Sequence, residues 1–158
     1  RVAKAAGTVA LTLVTHRHAD HTGGLKRWEE LTRSPNRAFS PTYCINTATP
    51  LTGGEVIEVA GLRITVLHTP GHTGDSVSFL VEWEDQRAVL TGDTILGSGT
   101  TVLDPSDGTL RDYLAWIADT SDADALAAWQ AHLDGYTEPA LVAPRAWATK
   151  LARPTFGG

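Results

Sequence analysis

The chain has 158 residues, of which 42% are hydrophobic and 20% are charged, a balance that predicts one globular domain and excludes a disordered chain. Eighteen acidic against thirteen basic residues give a formal net charge of −5, which disfavours an extended nucleic-acid or membrane surface. The single cysteine, Cys44, excludes an internal disulfide, and no apolar run approaches the ~20 residues that a membrane helix needs.

The first predicted elements are a strand, a loop and a helix. Residues 9–15 (VALTLVT) predict a buried strand because they are apolar and rich in β-branched side chains. The polar, glycine-bearing residues 16–24 predict a loop. Residues 25–31 carry apolar side chains at every third position, the spacing of a short amphipathic helix. Residues 34–50 are rich in Pro, Ser, Thr and Asn and predict an irregular connection.

Two hairpins are predicted in the middle of the chain. Residues 55–59 and 62–67 alternate between apolar and polar side chains on either side of an Ala-Gly pair. Residues 77–83 and 87–90 form the second pair of strands, separated by three polar residues. Each hairpin is followed by a polar or glycine-bearing loop, so functional side chains are expected at these strand ends.

The last predicted elements are helices over residues 109–118 and 122–133, with Thr109 and Asp122 as their N-caps. A weakly patterned tail at residues 145–158 would then follow a domain of residues 1–144. The order strand, helix, four strands and two helices favours an α+β architecture with helices packed on the outer faces of β-sheets.

Four potential metal ligands lie within six positions directly after the first predicted strand. They are His16, His18, Asp20 and His21. Imidazole nitrogen and carboxylate oxygen are ligands that suit zinc and related divalent metals. A polar surface loop with histidines by chance is the alternative, and the density of three histidines and one aspartate disfavours it.

Two later loops contribute further candidates. A Pro-Gly turn after the strand at 62–67 would project His72 inward as another ligand. His68 ends that apolar strand, a position that favours a core role over metal binding. Asp93 follows the strand at 87–90, where an aspartate can simply stabilise a turn. Beside the other two elements, a carboxylate that bridges two metals is the favoured interpretation of Asp93.

Together, HRHADH (16–21), TPGHTGDS (69–76) and GDT (92–94) resemble the metallo-β-lactamase superfamily, whose HxHxDH signature is the first of these. Residues 92–114 are similar to the subgroup that contains the lactamase-β-like endoribonucleases. The resemblance extends over about residues 9–114. It implies a four-layer αββα sandwich with a two-metal site along one edge of the sheets.

The resemblance also implies a ligand set and a reaction. Two zinc ions per chain are expected, with Mn²⁺ or Fe²⁺ as alternatives. A hydroxide activated between them would cleave an ester-type bond (a phosphodiester, thioester or lactam), and Asp20 would orient the water and accept a proton. The first metal would take three histidines, the second an aspartate and a histidine, with one carboxylate bridging both: His16, His18 and His72; Asp20 and His21; and Asp93.

The sequence departs from the superfamily pattern at both ends. Members supply a late histidine in a PGHG-type turn, whereas this chain has only His132, which lies in the predicted helix 122–133. We keep His132 as a candidate ligand of the second metal. At most one strand precedes the HxHxDH motif, so we expect an incomplete N-terminal sheet and a chain truncated at that end.

Several functional alternatives stay open. Thioester hydrolysis of the glyoxalase II type competes with endoribonuclease-like activity, and a lactam substrate is less favoured because the fold does not decide the substrate. A different class of protein, a catalytically impaired fragment or a single-metal structural protein, would also explain the departures. The expected partners are a small-molecule or RNA-type substrate and a possible second copy of the chain, with no membrane and no DNA, and the expected compartment is the cytoplasm.

Overall fold

The computed structural model describes residues 8–96 and 100–118 of the chain. These residues form three α-helices, a sheet of two strands and a sheet of four strands. The predicted helix 122–133, its cap Asp122, the candidate ligand His132 and the predicted tail 145–158 lie outside the described residues. Within those ranges, no helix is long and apolar enough to cross a bilayer.

The small sheet pairs β1 (Thr12–Leu13) with β2 (Asn36–Arg37) in parallel. The predicted strand over 9–15 is therefore present but shorter. Its partner was not predicted, because a two-residue strand is too short to carry an alternating pattern. A 3₁₀ turn at Pro41–Tyr43 follows β2, inside the stretch that we expected to be irregular.

Two helices connect β1 to β2. The first, α1 (Ala19–Thr22), is a single turn and corrects the expectation of a loop over 16–24. It begins directly after the extended residue His18, whose carbonyl oxygen accepts hydrogen bonds from the backbone N–H and the hydroxyl of Thr22. The second, α2 (Leu25–Thr32), confirms the predicted helix over 25–31.

The apolar face of α2 is only partly buried. Leu25 packs with Val14 and Ala38 on the outer side of the small sheet. Trp28 is half-buried, and its indole Nε1 donates to Thr12 Oγ1 at 2.9 Å. Leu31, the third apolar position of the predicted face, is exposed.

The four-stranded sheet is an antiparallel meander in the order β3 (Val56–Val59), β4 (Leu62–His68), β5 (Val77–Trp83) and β6 (Gln86–Leu90). Both predicted hairpins are confirmed. In the register of β4 and β5, residues that lie directly opposite each other point to the same face of the sheet, as Ile64 and Val81 do. Apolar side chains therefore stack on one face from strand to strand.

The core lies between the two sheets. Alternate residues of β4 and β5 point into it and pack with Leu51, and Leu13 and Phe39 close it from the side of the small sheet. Burying each of these apolar side chains contributes about 1.5–3 kcal/mol. The opposite face of the meander carries a second cluster of Leu67, Leu80 and Val89.

The helix α3 (Leu110–Ala118) begins as predicted from Thr109. The Asp112 N–H donates to Thr109 Oγ1 at 3.0 Å, and the Thr109 hydroxyl donates to Asp112 Oδ2 at 2.6 Å. This reciprocal pair satisfies a backbone donor that the first helical turn would otherwise leave without an acceptor.

One backbone hydrogen bond joins the two sheets at the edge that carries the polar motifs. The Val77 N–H, at the start of β5, donates to the Thr15 carbonyl oxygen at 2.8 Å. The loop after β1 is thereby held beside the loop between β4 and β5. Three loops, those after β1, β4 and β6, meet along this edge.

Candidate metal centre

Three imidazole nitrogens converge where these loops meet. His16 Nε2 lies 3.1 Å from His18 Nδ1, and His72 Nε2 lies 2.9 Å from the same Nδ1. Ligands bound to one tetrahedral zinc ion at about 2.0–2.1 Å lie roughly 3.3 Å apart. The three nitrogens therefore have nearly the spacing that three ligands of one ion require.

Each histidine reaches this point through a different feature of the backbone. His16 follows β1 and is buried, with 2% of the residue exposed. His18 is extended and immediately precedes α1. His72 lies in the turn after β4, where Gly71 has φ +146° and a Cβ at this position would lie 2.5 Å from the Cβ of Tyr113. Only glycine fits both the conformation and the space at position 71.

His18 and His72 each form a hydrogen bond through the ring nitrogen that points away from the cluster. These bonds indicate where the ring protons lie and which nitrogens face the cluster with lone pairs. His18 Nε2 lies 2.6 Å from the Asp104 carboxylate, which can only accept, so Nε2 carries a proton and, in the neutral ring, Nδ1 carries a lone pair. His72 Nδ1 faces the Val102 carbonyl oxygen, so its proton is on Nδ1 and Nε2 carries a lone pair. Two lone pairs that face each other at 2.9 Å repel unless a cation lies between them. The donor set therefore fits a bound metal.

The electrostatics of His16 agree with this arrangement. Burial lowers the pKa of His16 to about 4, and the neighbouring imidazoles of His21 and His72 add to the effect. His16 is consequently neutral near pH 7. Neutral imidazole is the form that binds a metal ion.

A second group of potential ligands shares His16 and adds His21 and Asp93. His21 Nε2 lies 3.2 Å from Asp93 Oδ1, and His72 Nε2 lies 3.8 Å from Asp93 Oδ2. The two carboxylate oxygens thus face the two groups, one oxygen each. This geometry is compatible with a bridging role for Asp93, which stays a prediction.

The loop that carries Asp93 approaches the loop after β1 closely. Gly92 has φ +52°, and a Cβ there would lie 2.7 Å from the Cβ of Thr15. The Thr15 hydroxyl in turn lies 3.2 Å from His16 Nδ1 and 3.4 Å from His21 Nδ1. Thr15 therefore separates the two rings from the backbone of the third loop.

The remaining predicted residues have different positions. Asp20 lies beside the cluster, with its Oδ2 3.6 Å from His21 Nε2, but its side chain is 74% exposed and points to solvent. His68 lies outside the cluster, where its exposed ring stacks on Phe39 with 4.3 Å between the ring centroids. The role of His132 as a ligand stays a prediction.

Sequence reasoning missed the residues that hold His18 from behind. Asp104 contacts both His18 and the Arg17 guanidinium, and Arg17 also pairs with Asp107 and donates to Ser106. The only local signal is the turn chemistry of the segment DPSD (104–107). Nothing in the spacing connects it to a histidine 86 positions earlier.

Comparison with known proteins places these features in a family. A family model described as the metallo-beta-lactamase superfamily matches residues 4–134. An atrochrysone carboxyl ACP thioesterase of Passalora fulva is 33% identical over 135 residues, which cover 79% of this chain and 37% of that protein. A hydroxyacylglutathione hydrolase of Dechloromonas aromatica is 40% identical over 92 residues, which cover 55% of this chain and 31% of that protein.

Solved structures include a similar fold. The crystal structure of ETHE1 from Myxococcus xanthus superimposes with a TM-score of 0.62 and 29% identity, covering 77% of this chain and 52% of that one. This chain spans about a third of the length of the two curated relatives described above. The fold expectation is confirmed: the architecture is α+β and of the metallo-β-lactamase type, although the described residues contain only part of it. With its HxHxDH loop, its histidine turn and its GDT loop assembled at one edge of two sheets, the chain belongs to the metallo-β-lactamase superfamily.

Proposed function

We propose that this chain carries the metal site of a metal-dependent hydrolase that cleaves a thioester. The observation that carries the proposal is the convergence of three imidazole nitrogens, two of which face each other at 2.9 Å with lone pairs when both rings are neutral. Such an arrangement is stable with a cation between the rings, and it lies beside a second imidazole–carboxylate pair of the kind that two-metal hydrolytic sites use.

Zinc is the proposed metal, with Mn²⁺ and Fe²⁺ as alternatives that the same imidazole and carboxylate ligands accommodate. Zinc would supply Lewis acidity and would lower the pKa of water towards about 7. The proposed ligands of the first ion are His16, His18 and His72. Those of the second are Asp20, His21 and the candidate His132, with Asp93 between the two ions.

Three residues of the chain would have separate roles beside the metal. Asp93 would hold the two halves of the site together, because its carboxylate oxygens face His21 and His72 separately. Asp20 would receive a proton during turnover, since its exposed carboxylate lies at the solvent side of the cluster, next to His21. His16 would remain neutral throughout, because burial disfavours its charged form.

Two observations support a thioester over a phosphodiester or a lactam. One relative is named as an acyl-carrier-protein thioesterase and another as a hydrolase of hydroxyacylglutathione, in which the acyl group is joined to sulfur. The net charge of −5 gives no long-range attraction for RNA. Cleavage of the RNA backbone and of lactams are the competing outcomes of the test.

The test begins with protein freed of metal by a chelator and then titrated with Zn²⁺, Mn²⁺ or Fe²⁺. Bound metal is measured by mass spectrometry, and hydrolysis is followed on an S-acylglutathione, on bis(p-nitrophenyl) phosphate and on a chromogenic cephalosporin. We expect thioester hydrolysis at least tenfold above that of the other two probes, lost on chelation. Two bound equivalents without hydrolysis of any probe would contradict the proposal.

A second candidate function is a protein that binds one metal without catalysis. It is favoured by the exposure of Asp93 in the second group, whose side chain is 34% exposed against 8% for His72 in the first, while His18 and His21 are equally exposed. In this case one equivalent binds, the fold is stabilised, and no probe is hydrolysed. The same titration separates the two functions.

A further inference from the structure

The segment from Thr101 to Asp104 lies behind two of the three clustered histidines. Val102 accepts a hydrogen bond from His72 Nδ1 through its carbonyl oxygen. The Asp104 N–H donates to the His72 carbonyl oxygen at 2.8 Å, and the Asp104 carboxylate accepts from His18 Nε2 at 2.6 Å. One short stretch of chain therefore contacts both rings on the side away from the cluster.

The Asp104 carboxylate is held in place by donors on both of its oxygens. Oδ1 accepts from the backbone N–H and the hydroxyl of Ser106, each at 2.7 Å. Oδ2 accepts from His18 Nε2 and forms an ion pair with Arg17 Nη2 at 2.9 Å. Arg17 pairs with the carboxylate and each hydrogen-bond partner on it is a donor, so Asp104 is held as an anion that acts only as an acceptor.

We propose that Asp104 is the positioning residue that makes His18 a metal ligand through Nδ1. The inference rests on the metal site proposed above. An imidazole without a partner can carry its proton on either nitrogen, and a proton on Nδ1 would block the atom that faces His16 and His72. An acceptor that cannot donate, fixed at Nε2, selects the tautomer and the ring orientation that the site needs.

Arg17 supports this arrangement from the outside. Its Nε and Nη2 reach Asp107 at 3.2 and 2.7 Å, and its Nη2 also reaches Asp104. The guanidinium charge is thus shared between two carboxylates, and we assign Arg17 to holding Asp104 rather than to binding an anionic substrate. Asp107 provides a matched control, because it lies in the same loop and pairs with the same arginine without contacting His18.

The test uses three variants: Asp104→Ala, Asp104→Asn and Asp107→Asn. The tautomer of His18 is measured by ¹⁵N NMR on metal-free protein, and zinc affinity by competition with a chromogenic chelator. We expect the Nε2-protonated form in the unmodified protein and a mixture in Asp104→Ala, with zinc affinity 10- to 100-fold lower, the usual effect of removing such a partner.

The other variants separate positioning from charge and from folding. In Asp104→Asn the Ser106 N–H keeps the amide oxygen at the Oδ1 position, so the amide NH2 faces His18 Nε2 and favours the proton on Nδ1. We expect this changed tautomer and a zinc affinity at least tenfold lower, and a retained Nε2-protonated form would overturn the inference. This variant also decides the question if Asp104→Ala does not fold. Asp107→Asn should change zinc affinity less than threefold.

Two further results would overturn the inference: an unchanged tautomer in Asp104→Ala, or zinc affinity within threefold of the unmodified protein. Failure of the proposed function looks different. If the unmodified chain binds no zinc, the metal site itself is refuted, while the metal-free NMR measurement still decides whether Asp104 sets the tautomer of His18.

Discussion

The two ligand groups around His16 differ in how firmly the fold holds them. In the first, the rings of His18 and His72 are each fixed from behind, one by Asp104 and the other by Val102. In the second, His21 contacts Asp93 and the Thr15 hydroxyl, and among the residues that the structure describes no hydrogen-bond donor comparable to those on Asp104 lies behind the half-buried Asp93 carboxylate. Ligands held in place before binding lose little conformational entropy when the ion arrives. The first group should therefore bind metal more tightly than the second.

The largest expected effect is the loss of the first group. His18→Ala removes the nitrogen that both His16 and His72 face, and we expect zinc affinity at this position to fall at least 100-fold, as measured by chelator competition. The side chain is only half-buried, so the far-ultraviolet circular dichroism spectrum should change little. His68→Ala is the control, since that histidine lies outside the cluster. Equal zinc affinities in the two variants would show that the first group does not bind the metal.

A narrower change should affect only the second group. His21→Ala takes away the imidazole that faces Asp93 Oδ1 and leaves the three rings of the first group in place. We expect the weaker equivalent of zinc to disappear from calorimetric titration, with the tighter one changed less than threefold. Asp93→Asn should weaken both equivalents, because its carboxylate faces both groups. A loss of both equivalents in His21→Ala would mean that the groups are not separable.

A backbone change tests whether the close approach of the loops matters. Gly92→Ala adds a Cβ 2.7 Å from Thr15 and forces alanine into a left-handed conformation, and we expect destabilisation of about 1–3 kcal/mol by urea unfolding. Gly54→Ala has the same sign of φ, at +78°, with open space around the Cβ, so it reports the conformational cost alone. Equal losses of unfolding free energy in the two variants would show that the contact with Thr15 does not contribute to stability.

The smallest effect is expected far from the metal site. The Arg37 side chain donates to the Glu55 carboxylate at 2.7 and 3.0 Å, which holds the pKa of Glu55 below its ordinary value. The carboxylate therefore stabilises the fold above about pH 4.5, and this stabilisation is lost as the pH falls through the lowered pKa.

In Glu55→Gln we expect about 1 kcal/mol less stability near pH 7 and a flatter dependence of unfolding free energy on pH between 5 and 3. Glu58→Gln, at an exposed pair with Arg63, is the control. Zinc affinity should not change in either variant. A change there would show that the scaffold and the site are coupled.

The sequence predicted those parts of the fold that local patterns determine. Both hairpins follow from alternation, and the start of α3 follows from Thr109, because each signal lies within a few residues. The helical turn α1 was missed because four residues are too few for helical periodicity. The strand β2 was missed because its pairing with β1 is set by tertiary contact.

The candidate site divides in the same way. The motif and the resemblance together indicated the residues that the fold brings together, His16, His18, His72, His21 and Asp93. Asp104 could not be found in this way, since it lies 86 positions from His18 and its own neighbours predict only a turn. Metal ligands can be predicted from residue type and spacing in the sequence, whereas the groups that orient them are identified only by their positions in the folded structure.

The hydrogen bond from the Val77 N–H to the Thr15 carbonyl oxygen links the loop after β1 to the buried strand β5. Val77 is fully buried, so its amide can exchange with deuterium only when this contact opens. Separation of the HxHxDH loop from β5 would break the same bond. Exchange at this single amide thus reports whether the site and the sheet open as one cooperative unit, and an ion that binds only the closed state would slow it in proportion to its affinity.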